Sequence, residues 1–217
     1  MGAPGAGKGT QTKRIVAAHN VPHISTGEIF RQNIRAKTEL GNKVRDFIEA
    51  GQLAPDELAC SVVVDRLAKG DCDNGYVLDG FPRSRNQAEH LERLLEERGE
   101  TLDLVINLQV NNDEIVARLS ARRMCPECGE IYSLRFNPPK NDSLCDACGT
   151  PLVQRRDDHE AAIRERLRIY HKINEPIIDY YEKQNKLWNI NGFGQKPQDV
   201  FNKLEERIAA IGFEVTT

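Results

Sequence analysis

The N-terminal run Gly2-Ala3-Pro4-Gly5-Ala6-Gly7-Lys8-Gly9-Thr10 has the residue types that hold a phosphate chain. It meets the P-loop pattern G-x-x-x-x-G-K-[ST] at Gly2, Gly7 and Lys8, and departs from it where Gly9 stands before Thr10. Glycines let consecutive backbone N–H groups turn inward around phosphate oxygens, and the helix start that follows favours anions. An ammonium group at Lys8 can reach the β- and γ-phosphates of a nucleoside triphosphate. Further along, Asp79 closes a short apolar run, where open α/β sheets place their ligands. A carboxylate there can hold magnesium through water. Gly80 permits close backbone approach, and Arg83 offers a two-pronged contact to an acceptor phosphate.

A second set of residues points to a metal. Cys125-x2-Cys128 and Cys145-x2-Cys148 are separated by sixteen residues, the spacing of a four-thiolate zinc site. Gly129 and Gly149 each follow a pair and allow the tight knuckle that aims two sulfurs at one ion. Four thiolates fill a tetrahedral shell and leave no place for water, so the site is expected to be structural. Iron also accepts four thiolates; zinc suits a ribbon-like segment better. Cys60 and Cys72 lie far off in sequence and read as buried packing residues.

A third set is basic. From 118 to 168 it comprises Arg118, Arg122, Arg123, Arg135, Lys140, Arg155, Arg156, Arg164, Arg166 and Arg168, all but one arginine. Guanidinium forks match phosphate oxygens, and phosphoryl transfer is catalysed largely by positioning and charge stabilisation. Arg123, Arg135, Arg164 and Arg168 read as a solvated face, and His159 and His171 as surface residues. Asp157 and Asp158 either pair with these arginines or cap the helix that follows. No catalytic nucleophile is evident, and none is needed.

These groups need a scaffold. The chain has 217 residues, one domain's worth with room for inserted segments. Hydrophobic residues make up 39% and no apolar run reaches the length of a membrane span. No apolar signal core opens the chain, so a cytoplasmic protein is expected. A net charge of −3 argues against bulk binding to nucleic acid or anionic membrane. Helical patterns cover 9–19, Ser25 or Thr26 to Ala36, 41–50, 56–68, 85–98, 112–123, about 158–184 with an adjustment at Pro176, and 197–211. Ser84 and Gln87 resemble a capping box. Tyr76–Leu78, Leu104–Leu108 and Leu187–Ile190 read as strands, whereas 124–154 has no periodicity. The alternation predicts an α/β fold with a parallel sheet and flanking helices. A P-loop follows a strand, yet only Met1 precedes Gly2. The expectation is that roughly four to six apolar residues belong upstream, the alternative being a sheet without its central strand.

The loop form GAPGAGKGTQ resembles that of adenylate kinases, including its Gly9-Thr10 departure. His23-Ile24-Ser25-Thr26-Gly27-Glu28 with Arg31, Leu78-Asp79-Gly80-Phe81-Pro82-Arg83 with Gln87, Phe136-Asn137-Pro138-Pro139, and Arg155, Asp157, Asp158 and Arg166 also resemble that family, in order along nearly the whole chain. The resemblance implies transfer of the γ-phosphoryl of ATP to AMP with magnesium, in a monomer with a mobile lid. It implies a core of 1–24, 55–120 and 159–217, an AMP-binding segment of 25–54 and a zinc-binding lid of 121–158. ATP would lie on Gly5, Ala6, Gly7, Lys8, Gly9 and Thr10, with Arg122 near its phosphates and Gln195 and the backbone of Ile131 and Tyr132 beside adenine. AMP would meet Thr26, Arg31, the backbone of Gln52, Leu53 and Ala54, then Gly80, Phe81, Pro82, Arg83 and Gln87, with Arg155 and Arg166. Lys8, Arg83, Arg118, Arg122, Arg155 and Arg166 would carry the catalysis, and Asp79 would hold magnesium through water. A UMP or CMP kinase is the nearer rival, although those tend to have short lids. A nucleic-acid-binding zinc ribbon joined to a P-loop is the remoter one.

Overall fold

The computed structural model describes residues 1–212. Helix α1 (Lys8–His19) starts directly from the glycine-rich loop, with Gly7 at φ 104° before it. A three-residue strand β1 (His23–Ser25) leads into α2 (Thr26–Arg35), α3 (Glu39–Glu49) and α4 (Asp56–Leu67). The Ser25 and Thr38 side chains accept backbone N–H bonds at the starts of α2 and α3, satisfying otherwise unpaired donors. Strand β2 (Val77–Asp79) and α5 (Arg85–Arg98) follow. Ser84 caps α5 through Gln87 N. Next come β3 (Val105–Gln109), α6 (Asn112–Ser120), β4 (Arg122–Met124), β5 (Ile131–Ser133), α7 (Glu160–Lys183), β6 (Leu187–Asn191) and α8 (Pro197–Ala210).

Two parallel strand pairs form the centre, β1 with β2 and β3 with β6, while β4 and β5 make an antiparallel ribbon. Between the parallel pairs lies the start of the chain. Gly2 bridges Leu108 in parallel, Leu108 N donates to Met1 O at 3.1 Å, and the Met1 amine donates to Ile106 O. Burial, reinforced by Lys8, pushes that amine down to about 5. Met1 and Gly2 therefore run as a two-residue stub beside β3. A cavity of about 420 Å³ sits there, lined by Met1, Ile15, Val77, Leu78, Val105 and Ile106 among others. Among the described residues, β2 pairs with β1 alone.

Separate apolar clusters anchor the site. Ile24, Phe30, Val44, Val63, Leu67 and Leu91 pack α2–α5 under the first pair. Ala6, Ile15, Leu108, Ile190, Val200 and Leu204 seat the loop and α1 against the second pair and α8. Gly5 is held at φ +83° so close to α6 that a Cβ would lie 2.7 Å from Leu119 Cγ, so this place in the loop requires glycine.

Several expectations are corrected. Helix α6 ends at Ser120 rather than 123, because Arg122–Met124 is drawn into pairing with Ile131–Ser133. Strand β1 was not foreseen; three residues carry too little periodicity to read. As expected, one long helix, α7, runs through Pro176 to Lys183, with Ile177 and Tyr181 buried beyond it. Asp157 and Asp158 belong to a 3-10 turn, Arg156–Asp158, ahead of α7, so they do not cap it. Cys60 and Cys72 are buried, as expected. No helix among the described residues is long and apolar enough to cross a membrane.

The unpaired strand edges beside the cavity make a prediction. Five alternating apolar residues placed before Met1 should raise the melting temperature by at least about 4 °C relative to a Gly/Ser extension of equal length, or over 1 kcal/mol for a chain of this size. Equal melting temperatures for the two extensions would show that the edges are not available for pairing.

Candidate active site and metal centre

The glycine-rich loop wraps its own lysine. Lys8 Nζ donates to Gly2 O at 2.7 Å and to Ala3 O at 2.8 Å, which closes the loop around the ammonium group. Burial, only partly opposed by Asp79, pushes this lysine down to about 8. Ala6 is buried, Gly5, Gly7 and Gly9 partly so, and Thr10 is exposed in the first turn of α1. Asp79, the last residue of β2, lies over that turn: a Cβ on Gly9 would stand 3.7 Å from Asp79 Oδ2. Burial alone would raise the Asp79 carboxyl. His23, whose Nε2 is 3.4 Å from Oδ2, together with Lys8 and Arg83 outweighs that and holds it at about 2.

Arginines converge on the same cleft. Arg83 Nε donates to Gly80 O at 2.7 Å, and Thr26 Oγ1 donates to the same carbonyl at 2.9 Å. Arg83 is open to the cleft, yet the enclosing walls and Arg166 pull it down to about 10. Arg122 grips Asp158 with two bonds of 2.7 and 2.5 Å. Arg166 Nη1 meets Asp157 Oδ2 at 3.0 Å and Asp158 Oδ1 at 3.4 Å. Of the two roles considered for Asp157 and Asp158, the structure shows pairing with arginines. Arg155 is buried, with Nε 3.2 Å from Met124 Sδ. Burial and the nearby Arg122 and Arg31 bring it down to about 9. Arg31 is paired with Glu28 at 3.1 Å. Arg118 ties three elements together, through Glu114 Oε1 at 2.8 Å, Ala6 O at 3.3 Å and Gly192 O at 3.4 Å.

Lys8, Arg31, Arg83, Arg122, Arg155 and Arg166 feel one another's charge. The carboxylates paired with them or close by are Glu28, Asp79, Asp157 and Asp158. The cleft thus holds more cations than anions, an arrangement that a polyanion relieves.

Other expected residues take more peripheral places. Gln87 is almost fully buried; Nε2 donates to Asp56 Oδ1 and Oε1 accepts from Arg83 N, both at 2.7 Å. Its side chain thus reaches back one residue further than a capping box requires. Phe81 and Pro82 are buried. Gln52 is exposed and Ala54 buried, just beyond Gly51, whose backbone packs on Arg166. Gln195, in the loop after β6, accepts from Lys203 Nζ at 3.1 Å. Ile131 is exposed on β5, whereas the Tyr132 side chain is buried beside the cysteines and its backbone lies opposite Arg123 of β4. His23, Glu114 and Asp56 were not given site roles from the sequence. Their partners are remote in the chain or, for Glu114, one helical turn away on a face whose direction no motif marked.

The four cysteines of the ribbon meet. Cys125 Sγ is 3.4 Å from Cys148 Sγ, Cys128 Sγ is 3.5 Å from Cys145 Sγ, and all four ligand atoms lie within 4.8 Å of one another. Bonds of about 2.3 Å to a tetrahedral ion would set sulfurs about 3.8 Å apart, so the cluster fits zinc with little adjustment. Gly129 and Gly149 sit at φ 78° and 71° in the two knuckles. The Tyr132 hydroxyl, 3.5 Å from Cys145 Sγ, lowers that thiol, whereas the neighbouring thiols raise Cys128. Thiolate at neutral pH is the form a metal ligand needs.

A family model described as adenylate kinase matches residues 1–186. The chain belongs to the adenylate kinase family. It is 50% identical over 192 residues to an adenylate kinase of Finegoldia magna, covering 88% of this chain and 89% of the relative. It is 50% identical to that of Thermosipho africanus, with 88% and 90% covered. The adenylate kinase of Caldicellulosiruptor bescii is 43% identical over 214 residues, 99% of this chain and 98% of the relative. The P-loop, the residues of β2 and the arginine-bearing end of the ribbon all fall within the span matched by the adenylate kinase model.

Two predictions arise from this geometry. Cys125→Ser should lower bound zinc and the melting temperature while activity stays measurable in the cold; full metal retention by atomic absorption would remove Cys125 from the ligand set. Because Lys8 titrates near 8 in the free protein, its ammonium form is lost as pH rises. ATP affinity should therefore weaken roughly tenfold between pH 7 and 9, and Lys8→Arg, which stays charged, should flatten that slope. A wild-type affinity independent of pH over that range would rule out the lysine as the group controlling binding.

Proposed function

We propose that this chain catalyses the reversible, magnesium-dependent transfer of the γ-phosphoryl of ATP to AMP, giving two ADP. The observation that carries this reading is the cleft itself, where one P-loop ammonium group, a strand-end carboxylate and an excess of arginines face one another. In the reading, the triphosphate lies on Gly5–Thr10 with Lys8 at its β- and γ-phosphates. Adenine lies by Gln195 and the backbone of Ile131 and Tyr132. AMP lies between Thr26, Arg31, the backbone of Gln52–Ala54, Gly80–Arg83 and Gln87, with Gln87 beside its adenine edge.

A phosphate oxygen of AMP attacks the γ-phosphorus in line. The bond to the β–γ bridging oxygen breaks, and its electron pair leaves with ADP. Arg83 aims the acceptor phosphate. Arg118, Arg122, Arg155 and Arg166 surround the transferring group, whose charge spreads over its equatorial oxygens. Asp157 and Asp158 hold Arg122 and Arg166 ready without neutralising the whole set. Asp79, ionised and facing the loop, would hold magnesium through water, and the ion would offset the charge of the phosphates. Zinc on Cys125, Cys128, Cys145 and Cys148 would staple the lid of 121–158, a segment with little core of its own.

The segment 25–54 closes on AMP and the lid closes on ATP in this scheme, with 1–24, 55–120 and 159–217 as the core; residues 213–217 lie outside those described. Closure excludes water, which would otherwise accept the phosphoryl group. Support for the lid's return edge approaching the AMP segment comes from Arg156 Nη1, 2.8 Å from Glu49 Oε2 on α3. The reading includes a cytoplasmic monomer.

A coupled assay with ATP, magnesium and a panel of monophosphates tests the reading. AMP is expected to be the best acceptor, and faster turnover with UMP or CMP would replace it by the rival kinase. Lys8→Met should lower kcat by about a thousandfold or more with the fold retained, in line with removal of a group stabilising the transferred charge. Activity within tenfold of wild type would contradict the role given to Lys8.

A further inference from the structure

Asp56 touches none of the phosphate-binding groups, yet it holds the side chain that the proposed function sets against the acceptor base. It is the first residue of α4. Its Oδ1 accepts from Gln87 Nε2 at 2.7 Å, and its Oδ2 accepts from Ser84 Oγ at 2.7 Å. Ser84 Oγ in turn accepts from Gln87 N at 3.1 Å. On the other side, Gln87 Oε1 accepts from Arg83 N at 2.7 Å. Gln87 is 2% exposed, so its amide has no free water to exchange these partners for.

The two ends of a glutamine amide are nearly equal in size, and only their partners tell them apart. Here both partners are one-way. A carboxylate only accepts, and a backbone N–H only donates. Reversing the amide would set Oε1 against Asp56 Oδ1 and the NH2 group against Arg83 N–H, two buried repulsive contacts in place of two bonds. The amide is therefore locked with one Nε2 hydrogen and one Oε1 lone pair left over. That pair is complementary to a ring acceptor next to an exocyclic amino donor, the 6-amino-purine edge. A 6-oxo-purine presents a ring N–H next to a carbonyl, which is the opposite order.

We propose that Asp56 is a positioning residue that sets the acceptor preference for 6-amino over 6-oxo purine monophosphates by fixing the orientation of the Gln87 amide. The proposal rests on the placement of the acceptor base beside Gln87.

Steady-state kinetics with AMP and IMP as acceptors, alongside melting temperatures, test it. Asp56→Ala should raise KM for AMP about tenfold with kcat within about threefold, and should lower the AMP-over-IMP ratio of kcat/KM at least about tenfold. Asp56→Asn keeps an oxygen for Gln87 Nε2, but its amide can also turn an amino group there, so it should fall between wild type and Asp56→Ala in both quantities. Both substitutions remove the same charge from the start of α4, so both lose its favourable interaction with the helix dipole. Similar melting losses with unequal acceptor ratios would separate positioning from a folding defect. Asp56→Ser, suited to a helix start but short of Gln87, serves if the alanine variant does not fold. A wild-type acceptor ratio in Asp56→Ala, or an acceptor ratio in Asp56→Asn below that of Asp56→Ala, would overturn the proposal. Gln87→Ala distinguishes the two levels. If it changes the AMP-over-IMP ratio while Asp56→Ala does not, only the positioning role fails. If it leaves KM for AMP and the ratio unchanged, the base lies elsewhere and both readings fall.

Discussion

The burial of several cations together in one partly enclosed cleft is the constraint on which this structure depends. Lys8, Arg83, Arg155 and Arg166 are all lowered from their ordinary values, and in each case burial is the leading cause with neighbouring guanidinium groups adding to it. Such a cluster stands only because carboxylates are placed where they hold arginines without cancelling them. Asp158, fully buried, serves both Arg122 and Arg166. Asp79 stays ionised at the loop. In the proposed function a pair of nucleotides would supply the missing negative charge, so their binding would remove a cost already present in the free protein.

The same economy extends to the supports. Arg118 binds the P-loop at Ala6 and the β6–α8 loop at Gly192, while Glu114 holds its Nε. The Gly80 carbonyl receives both Thr26 and Arg83, which joins the start of α2 to the acceptor side of β2. The ribbon that brings Arg122 and Arg155 to the cleft has few apolar residues inside it beyond Cys125, Tyr132, Cys145 and Leu152. Four sulfurs drawn to one point do there what a larger core does elsewhere.

Much of this was legible from residue order. The P-loop, the cysteine spacing and the bias to arginine state their chemistry locally, because each motif needs only nearby backbone geometry to work. Most helices were legible for the same reason: Ser84 before α5 and the glycine-rich turn before α1 are local signals. The short strand β1 and the end of α6 were not. Their state depends on pairing with Val77–Asp79 and Ile131–Ser133, partners whose presence a window of sequence does not contain.

By itself, the amino-acid sequence determined which groups exist to grip phosphate and metal, and the α/β alternation that carries them. Tertiary structure alone decided how those groups restrain one another. It turned Asp157 and Asp158 from possible helix caps into anchors for arginine, set His23 against Asp79, and gave Gln87 two one-way partners. The reason is physical. Motifs are local and survive as a string of letters, whereas the ionisation of a buried side chain and the direction of an amide depend on charges and dipoles brought within a few ångströms by folding.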